Sequence, residues 1–278
     1  RWLTHKEDIG MKKILALLLA LSMALGLAAC SGQDGKESDN SGDSDLAYIQ
    51  EKGTLVVGIT EFEPMDYTDA DGNWIGFDAD MARAFAESLG VEAQFQVIAD
   101  WDSKVMELEG KTVDVVWNGM TLTEDVLTAM ECSNPYFSNG QVVIVPADKA
   151  GDYQTEESLA DLQFAVENGS AGQEELDRLG YSYTPVQDQA TALMEVAAGT
   201  SDAAVVDYLM AAAMTGEGTS YEDLAYTVQL NSEEYGVGFR KGSDLAAELN
   251  QFFQEQYASG EMQKIADKYN IADKLIEQ

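Results

Sequence analysis

Between residues 114 and 136, DVVWNGMTLTEDVLTAMECSNPY, the chain passes from an apolar run into a polar turn and then into a helix start. This order of events constrains the fold more than any other stretch. Val115, Val116 and Trp117 form a run too short for a helix and read as a buried strand. Asn118-Gly119 breaks it, and Thr121 and Glu124 stand at capping-box spacing before the helix. A strand that delivers the chain to a helix N-terminus leaves free backbone N–H groups at the carboxyl edge of a sheet. Open α/β proteins hold small ligands there, anionic ones above all. An ordinary strand-to-helix loop has the same pattern, so this stretch alone leaves both readings open.

The rest of the chain repeats the alternation. Residues 54–59 (TLVVGI) read as a strand, 61–67 (EFEPMDY) as a proline-containing loop at its carboxyl end, and Asp71-Gly72 as a hairpin turn. Asp69, Asp71 and Asn73 suggest a calcium loop, but Trp74 stands where such a loop needs glycine. Residues 78–89 place Met81, Phe85 and Leu89 on one helix face, stopped by Gly90; 94–98 is a strand, and Trp101-Asp102-Ser103 opens a helix toward Leu108. A second unit follows 141–145: strand 164–166, the turn 169–173 with Ser170 and Gln173 at capping spacing, and a helix ending at Gly180. A helix over 188–198, capped by Asp188, leads to the strand 203–206, with Asp207 alone at its carboxyl end. Strands at 226–230 and 235–239 and a core-forming helix over 245–258 complete the pattern. The expectation is an α/β chain of two lobes, each a mostly parallel sheet flanked by helices, hinged by two extended strands.

Residues 1–10 precede Met11 and read as upstream sequence; 11–29 carry Lys12, Lys13, an apolar run and small residues before a cut, the pattern of a secretory signal. The ending Leu27-Ala28-Ala29-Cys30 resembles a bacterial lipobox, which implies lipid on Cys30; an uncleaved anchor helix is the alternative. Residues 30–45 lack any large apolar side chain and read as a disordered tether. The only histidine, His5, falls in the excluded segment, so imidazole bases and histidine-held metals are ruled out of the folded part. Cys132 is then the one thiol besides Cys30; it reads as structural or reactive, and no neighbouring cation favours the second. The formal net charge of −34 repels nucleic acid and gains nothing from anionic lipid headgroups.

Taken together, the segments 76–81 (GFDADM), 114–123, 134–136 (NPY), 169–171 (GSA), 202–207 (DAAVVD) and 235–242 (YGVGFRKG) resemble the polar-amino-acid-type extracellular solute-binding proteins, family 3, of bacterial ABC importers, in their lipoprotein form. The similarity runs from about residue 46 to 271 in the family's order. It implies a two-lobed periplasmic-binding-protein-like fold of type II, with lobe 1 over 46–140 and 234–278 and lobe 2 over 141–233. It also implies a monomer outside the cytoplasm, tethered through Cys30, with no cofactor and no catalysis. Such a protein closes over an amino acid or related amine-bearing solute and delivers it to ABC permease subunits. A ligand-sensing lipoprotein, or an enzyme of the cyclohexadienyl dehydratase kind, would share the pattern. By position, Phe62 and Trp101 match pocket aromatics, Asn118, Gly119 and Thr121 the turn that receives the α-amino group and part of the carboxylate, Ser170 and Ala171 the helix start that receives the carboxylate, and Asp207 the partner of the α-ammonium. Packing is the competing role for the two aromatics, and capping for Thr121, Ser170 and Asp207. One position departs from the family. Val126 stands where a carboxylate-binding arginine is common, and Lys104 is the substitute cation that the sequence offers. Without that arginine, a cationic or amine-bearing solute becomes a live alternative.

Overall fold

The structure, a computed structural model, describes residues 44–278. The expected upstream residues 1–10, signal 11–29, Cys30 and all but the end of the tether lie outside the described residues. The fold starts earlier than the tether's expected end. Ser44 Oγ accepts from Ala47 N–H and caps a helix over Asp45–Lys52, while Ser44 also donates to Asp244 Oδ2 at 2.5 Å.

In chain order the strands are β1 (Thr54–Ile59), β2 (Tyr67–Thr68), β3 (Trp74–Ile75), β4 (Glu92–Val97), β5 (Val115–Thr121), β6 (Glu131–Cys132), β7 (Phe137–Asn139), β8 (Gln141–Pro146), β9 (Phe164–Glu167), β10 (Tyr183–Val186), β11 (Ala203–Asp207), β12 (Leu224–Gln229) and β13 (Glu233–Phe239). One sheet runs β4-β1-β5-β13-β6, with β7 also on β13; the other runs β10-β9-β11-β8-β12. The expected parallel pairing holds for β4, β1 and β5 and for β10, β9 and β11, whereas β13 and β8 are antiparallel to their neighbours. The reason lies in the connections. Parallel neighbours need a helical crossover, but β8 and β13 each arrive directly from the other sheet.

The helices cover the sheets as their apolar spacing predicts. Phe77–Ser88 buries Phe77, Met81 and Phe85, and Leu89, its C-cap, packs part-buried against the same core. Leu245–Ser259 buries Leu249, Phe252 and Phe253, and Trp117 on β5 meets Phe253 with ring centroids 5.7 Å apart. The sequence reading gave no helix at Glu261–Lys268, which buries Met262 and Ala266. Asp69 holds its hairpin with the carboxylate, accepting from the N–H groups of Asp71 and Asn73 at 2.9 Å each.

The chain crosses between the sheets at Gly140 and again between Gln229 and Glu233. The two crossings run side by side: Leu230 N–H donates to Gln141 O at 2.8 Å, and Gln141 N–H to Asn231 Oδ1 at 2.7 Å. They approach so closely that a Cβ at residue 140 would lie 2.7 Å from Asn231 O, which explains the glycine.

Two buried charge clusters brace the first sheet. Arg240 forks onto Asp45 at 2.9 to 3.1 Å and donates to Leu108 O and Val113 O, while Lys52 reaches the fully buried Asp114 at 2.5 Å. Removing one partner of such a buried set leaves an uncompensated charge. Arg240→Met is therefore expected to cost about 3 kcal/mol or more, a fall of at least about 6 °C in melting temperature by circular dichroism.

The second cluster is Asp66 and Asp78, both with no exposed surface. Burial pushes Asp78 up to about 7, although Tyr136 and Gly119 donate to it. Asp66, with no hydrogen-bond partner for either oxygen, is raised well above the carboxylate range by burial and by Asp78. Both groups bind protons more tightly folded than unfolded, so stability is fullest below the ordinary carboxylate pKa and falls as pH rises toward about 7. Asp66→Asn should flatten that slope, and urea titrations from acid to neutral pH will show whether it does.

Candidate functional site

A cavity of about 360 Å³ lies between the carboxyl edges of the two sheets. The first sheet contributes Trp101, Lys104, the end of β5 and the following helix start as far as Val126. The second contributes Gln141, Glu167, the 169–171 turn, Gln189 and Asp207.

The β5 end differs from the sequence expectation. Asn118-Gly119 does not end the strand: β5 runs on to Thr121, paired with β13 across a register shift between Gly236 and Gly238. The helix Glu124–Ala129 is capped by Thr123, whose Oγ1 accepts from Val126 N–H, so Thr121 is released from the expected capping role. Thr121 instead donates to Glu233 Oε1 at 2.9 Å. Asn118 ties β5 to β1, accepting from Thr60 N–H at 2.9 Å and donating to Thr60 Oγ1 at 2.7 Å. Gly119 sits at φ +56°, and its N–H donates to Asp78 at 2.6 Å. A Cβ there would lie 2.5 Å from the Phe62 ring, so only glycine fits.

That contact also places Phe62. Its ring lies behind Gly119, edge-on to Tyr235 at 6.2 Å and 2% exposed, and it packs the core instead of lining the cavity. Position after a strand could not reveal this, because the loop folds back through backbone bonds between Phe62 and Asp66. Trp101 does line the cavity, on a short turn capped by Asp100.

On the facing lobe, Ser170 caps the helix Ala171–Leu179 by accepting from Gln173 N–H at 3.2 Å, as its spacing predicts. The reciprocal arm shifts by one residue, since Gln173 Oε1 accepts from Gly169 N–H rather than from Ser170. Asp207 stands at the N-cap of the helix Tyr208–Met214 without capping it. Its carboxylate accepts from Asn139 at 2.5 Å, from Gln141 at 2.8 Å and from Gln189, and Thr121, Asn139 and Gln141 all donate to neighbouring Glu233 as well. Burial and the nearby Glu233 push the Asp207 carboxyl well above the usual range. Three amides orient this carboxylate, yet none of them is a cation, so an entering ammonium would be its charge partner.

The lobes touch around the cavity mouth. Asn168 donates to Asp100 at 3.0 Å, and Lys104 Nζ donates to Gly169 O at 3.0 Å while lying 5.2 Å from the Trp101 ring centroid. A Cβ at residue 169 would meet Asp102 Cα at 2.5 Å. Lys104 is the basic side chain on the cavity wall, and burial lowers its pKa. Val126 lines the same wall and is 6% exposed. Gln141, Glu167 and Gln189 were missed in the sequence, where they read as strand and helix residues; the one available signal was a carboxylate closing the apolar run before Asn168-Gly169. Cys132 lies outside the cavity lining, with its thiol pushed up to about 11 by burial, which marks it as structural.

Three comparisons bear on this geometry. The L-cystine-binding protein TcyJ of Escherichia coli (strain K12) is 29% identical over 91% of this chain and 96% of its own length. The arginine-binding extracellular protein ArtP of Bacillus subtilis (strain 168) is 29% identical over 95% of this chain and 100% of its own. Among solved structures, a mutant of ArgBP from T. maritima superposes with a TM-score of 0.76 at 32% identity, covering 81% of this chain and 99% of that one. The family model for bacterial extracellular solute-binding proteins, family 3, matches residues 55–272, and the chain belongs to that family.

Proposed function

We propose that the protein captures an amino acid or related small amine-bearing solute between its lobes and hands it, chemically unchanged, to an ABC permease. The observation that carries this is the convergence of unlike groups on one cavity: the Ser170–Ala171 helix start and Lys104 on its wall, and the amide-oriented carboxylate of Asp207. A helix N-terminus and a lysine attract a carboxylate; a buried carboxylate attracts an ammonium. An α-amino acid presents both within one small molecule. The family membership and the relatives named for cystine and arginine support the same reading. In this reading Cys30 carries the lipid that holds the protein at the outer face of the cell membrane.

Closure follows from contacts that exist only when the lobes meet. The Asn168–Asp100 and Lys104–Gly169 bonds join the lobes directly, and a solute held by both walls adds the free energy that favours the shut form. Lys104 takes part of the role that Val126 cannot. Its ammonium is held against the second lobe by a carbonyl, and it meets the solute carboxylate beside the helix start.

A thermal-shift screen of the purified protein against amino acids, their amides and amines is expected to raise the melting temperature with free amino acids. Asp207→Asn keeps the shape but removes the charge and one of the two oxygens that accept from the amides; calorimetry should find amino-acid affinity reduced about thirtyfold or more. Unchanged affinity would refute the assigned ammonium site. Lys104→Met is expected to weaken amino-acid binding about tenfold or more while leaving the affinity for the decarboxylated amine nearly unchanged. Equal losses for both would remove Lys104 from the carboxylate site.

A further inference from the structure

Glu167 ends β9 one residue before the 168–170 turn, 3% exposed, on the cavity wall. Its Oε1 is buried and has no hydrogen-bond partner. This sets it apart from Asp207, where each oxygen receives an amide. A buried carboxylate oxygen without a donor is costly, and on the cavity wall, unlike Asp66 in the core, it stands where an entering group can reach it.

The surroundings specify that group. Gln189 donates to Asp207 and lies beside Glu167, so one glutamine side chain borders both carboxylates. Lys104 lies near Glu167 but directs its ammonium to the carbonyls of Trp101 and Gly169, and Asp188 adds like charge from the cap of the next helix. Asp102, Asp125, Glu174 and Asp177 also line the cavity, so carboxylates outnumber its lysine. A wall of this composition favours a solute with net positive charge over a neutral one.

We propose that Glu167 receives a second basic nitrogen of the solute, so that the preferred ligand is an amino acid with a cationic side chain. The inference rests on the amino-acid reading of the site given above: Asp207 takes the α-ammonium, and Glu167, on the other side of Gln189, takes the distal cation. Neutral amino acids bring no charge to Glu167 and lose the charge-assisted bond, even where a side-chain amide can donate to its oxygen.

Protons give an independent readout. In the ligand-free cavity, burial and Asp188 push the Glu167 carboxyl up to about 8, against the opposing pull of Lys104. A cation placed on it lowers that value, so binding near neutral pH releases a proton from Glu167. Asp207 can release one too, and the variant separates the two contributions.

The experiment is calorimetry of the purified protein with L-arginine, L-lysine and L-glutamine, in two buffers of different ionisation enthalpy at about pH 7.5, for the wild type and Glu167→Gln. Expected is a preference for arginine or lysine over glutamine of about tenfold or more. In Glu167→Gln the basic ligand should lose about ten- to a hundredfold, glutamine should change little, and fewer protons should be released. Tight glutamine binding with weak binding of both basic ligands would overturn this inference and leave the amino-acid reading standing. Equal affinity of wild type and variant for the basic ligand, with equal proton release, would do the same. Binding of none of the three, together with no thermal shift by any amino acid, would overturn both.

Discussion

The polar knot around Asp207 is the interaction on which the rest depends. Asn139 and Gln141, on either side of the first crossing, donate to Asp207, and both also donate to Glu233, where the second crossing ends. The same amides that fasten the hinge strands therefore set the direction of the carboxylate assigned to the solute. A low local dielectric strengthens these bonds and makes the two acids unfavourable neighbours when both are charged. The knot is stable as a hydrogen-bonded unit and incomplete as a charged one, which suits a site that is completed by a cation.

A similar division of labour holds on the first lobe. Asp78 fixes Gly119 from behind, Phe62 and Tyr235 close off the space beneath it, and Asn118 binds the strand to Thr60. The side chains there position backbone more than they offer themselves. Under the proposed function, specificity then rests with the ionisable groups on the wall: Lys104, Glu167 and Asp207. Val126, at the position where the family resemblance implies an arginine, fits this arrangement, because an apolar side chain there leaves the cavity predominantly acidic.

Pattern and geometry part company at identifiable places. Asn118-Gly119 looks like a strand end, since both residues favour turns, yet pairing with β13 carries β5 through it as an irregularity in register. Thr121 and Thr123 both precede a glutamate-containing helix start, and only the backbone path decides which of them caps. Phe62 was assigned to the cavity by its place after β1, and the folded-back loop turned it into the core. Trp101, Ser170, Ala171 and Asp207 reach the cavity as expected, each at a strand end or helix start where local pattern and fold coincide.

The sequence by itself determined the alternation of strands and helices, the two-sheet plan, the turn that carries Ser170, and the strand end that carries Asp207. These depend on apolar periodicity, caps and breakers, which act over a few residues and are legible locally. Only the tertiary structure decided which polar groups lack partners. Glu167 lies in an apolar strand and gains its significance from Lys104 and Gln189, which come from distant parts of the chain. Asp207 likewise owes its shifted proton affinity to burial and to Glu233 across the hinge. Burial and electrostatic coupling are set by neighbours in space, and a linear pattern does not contain them.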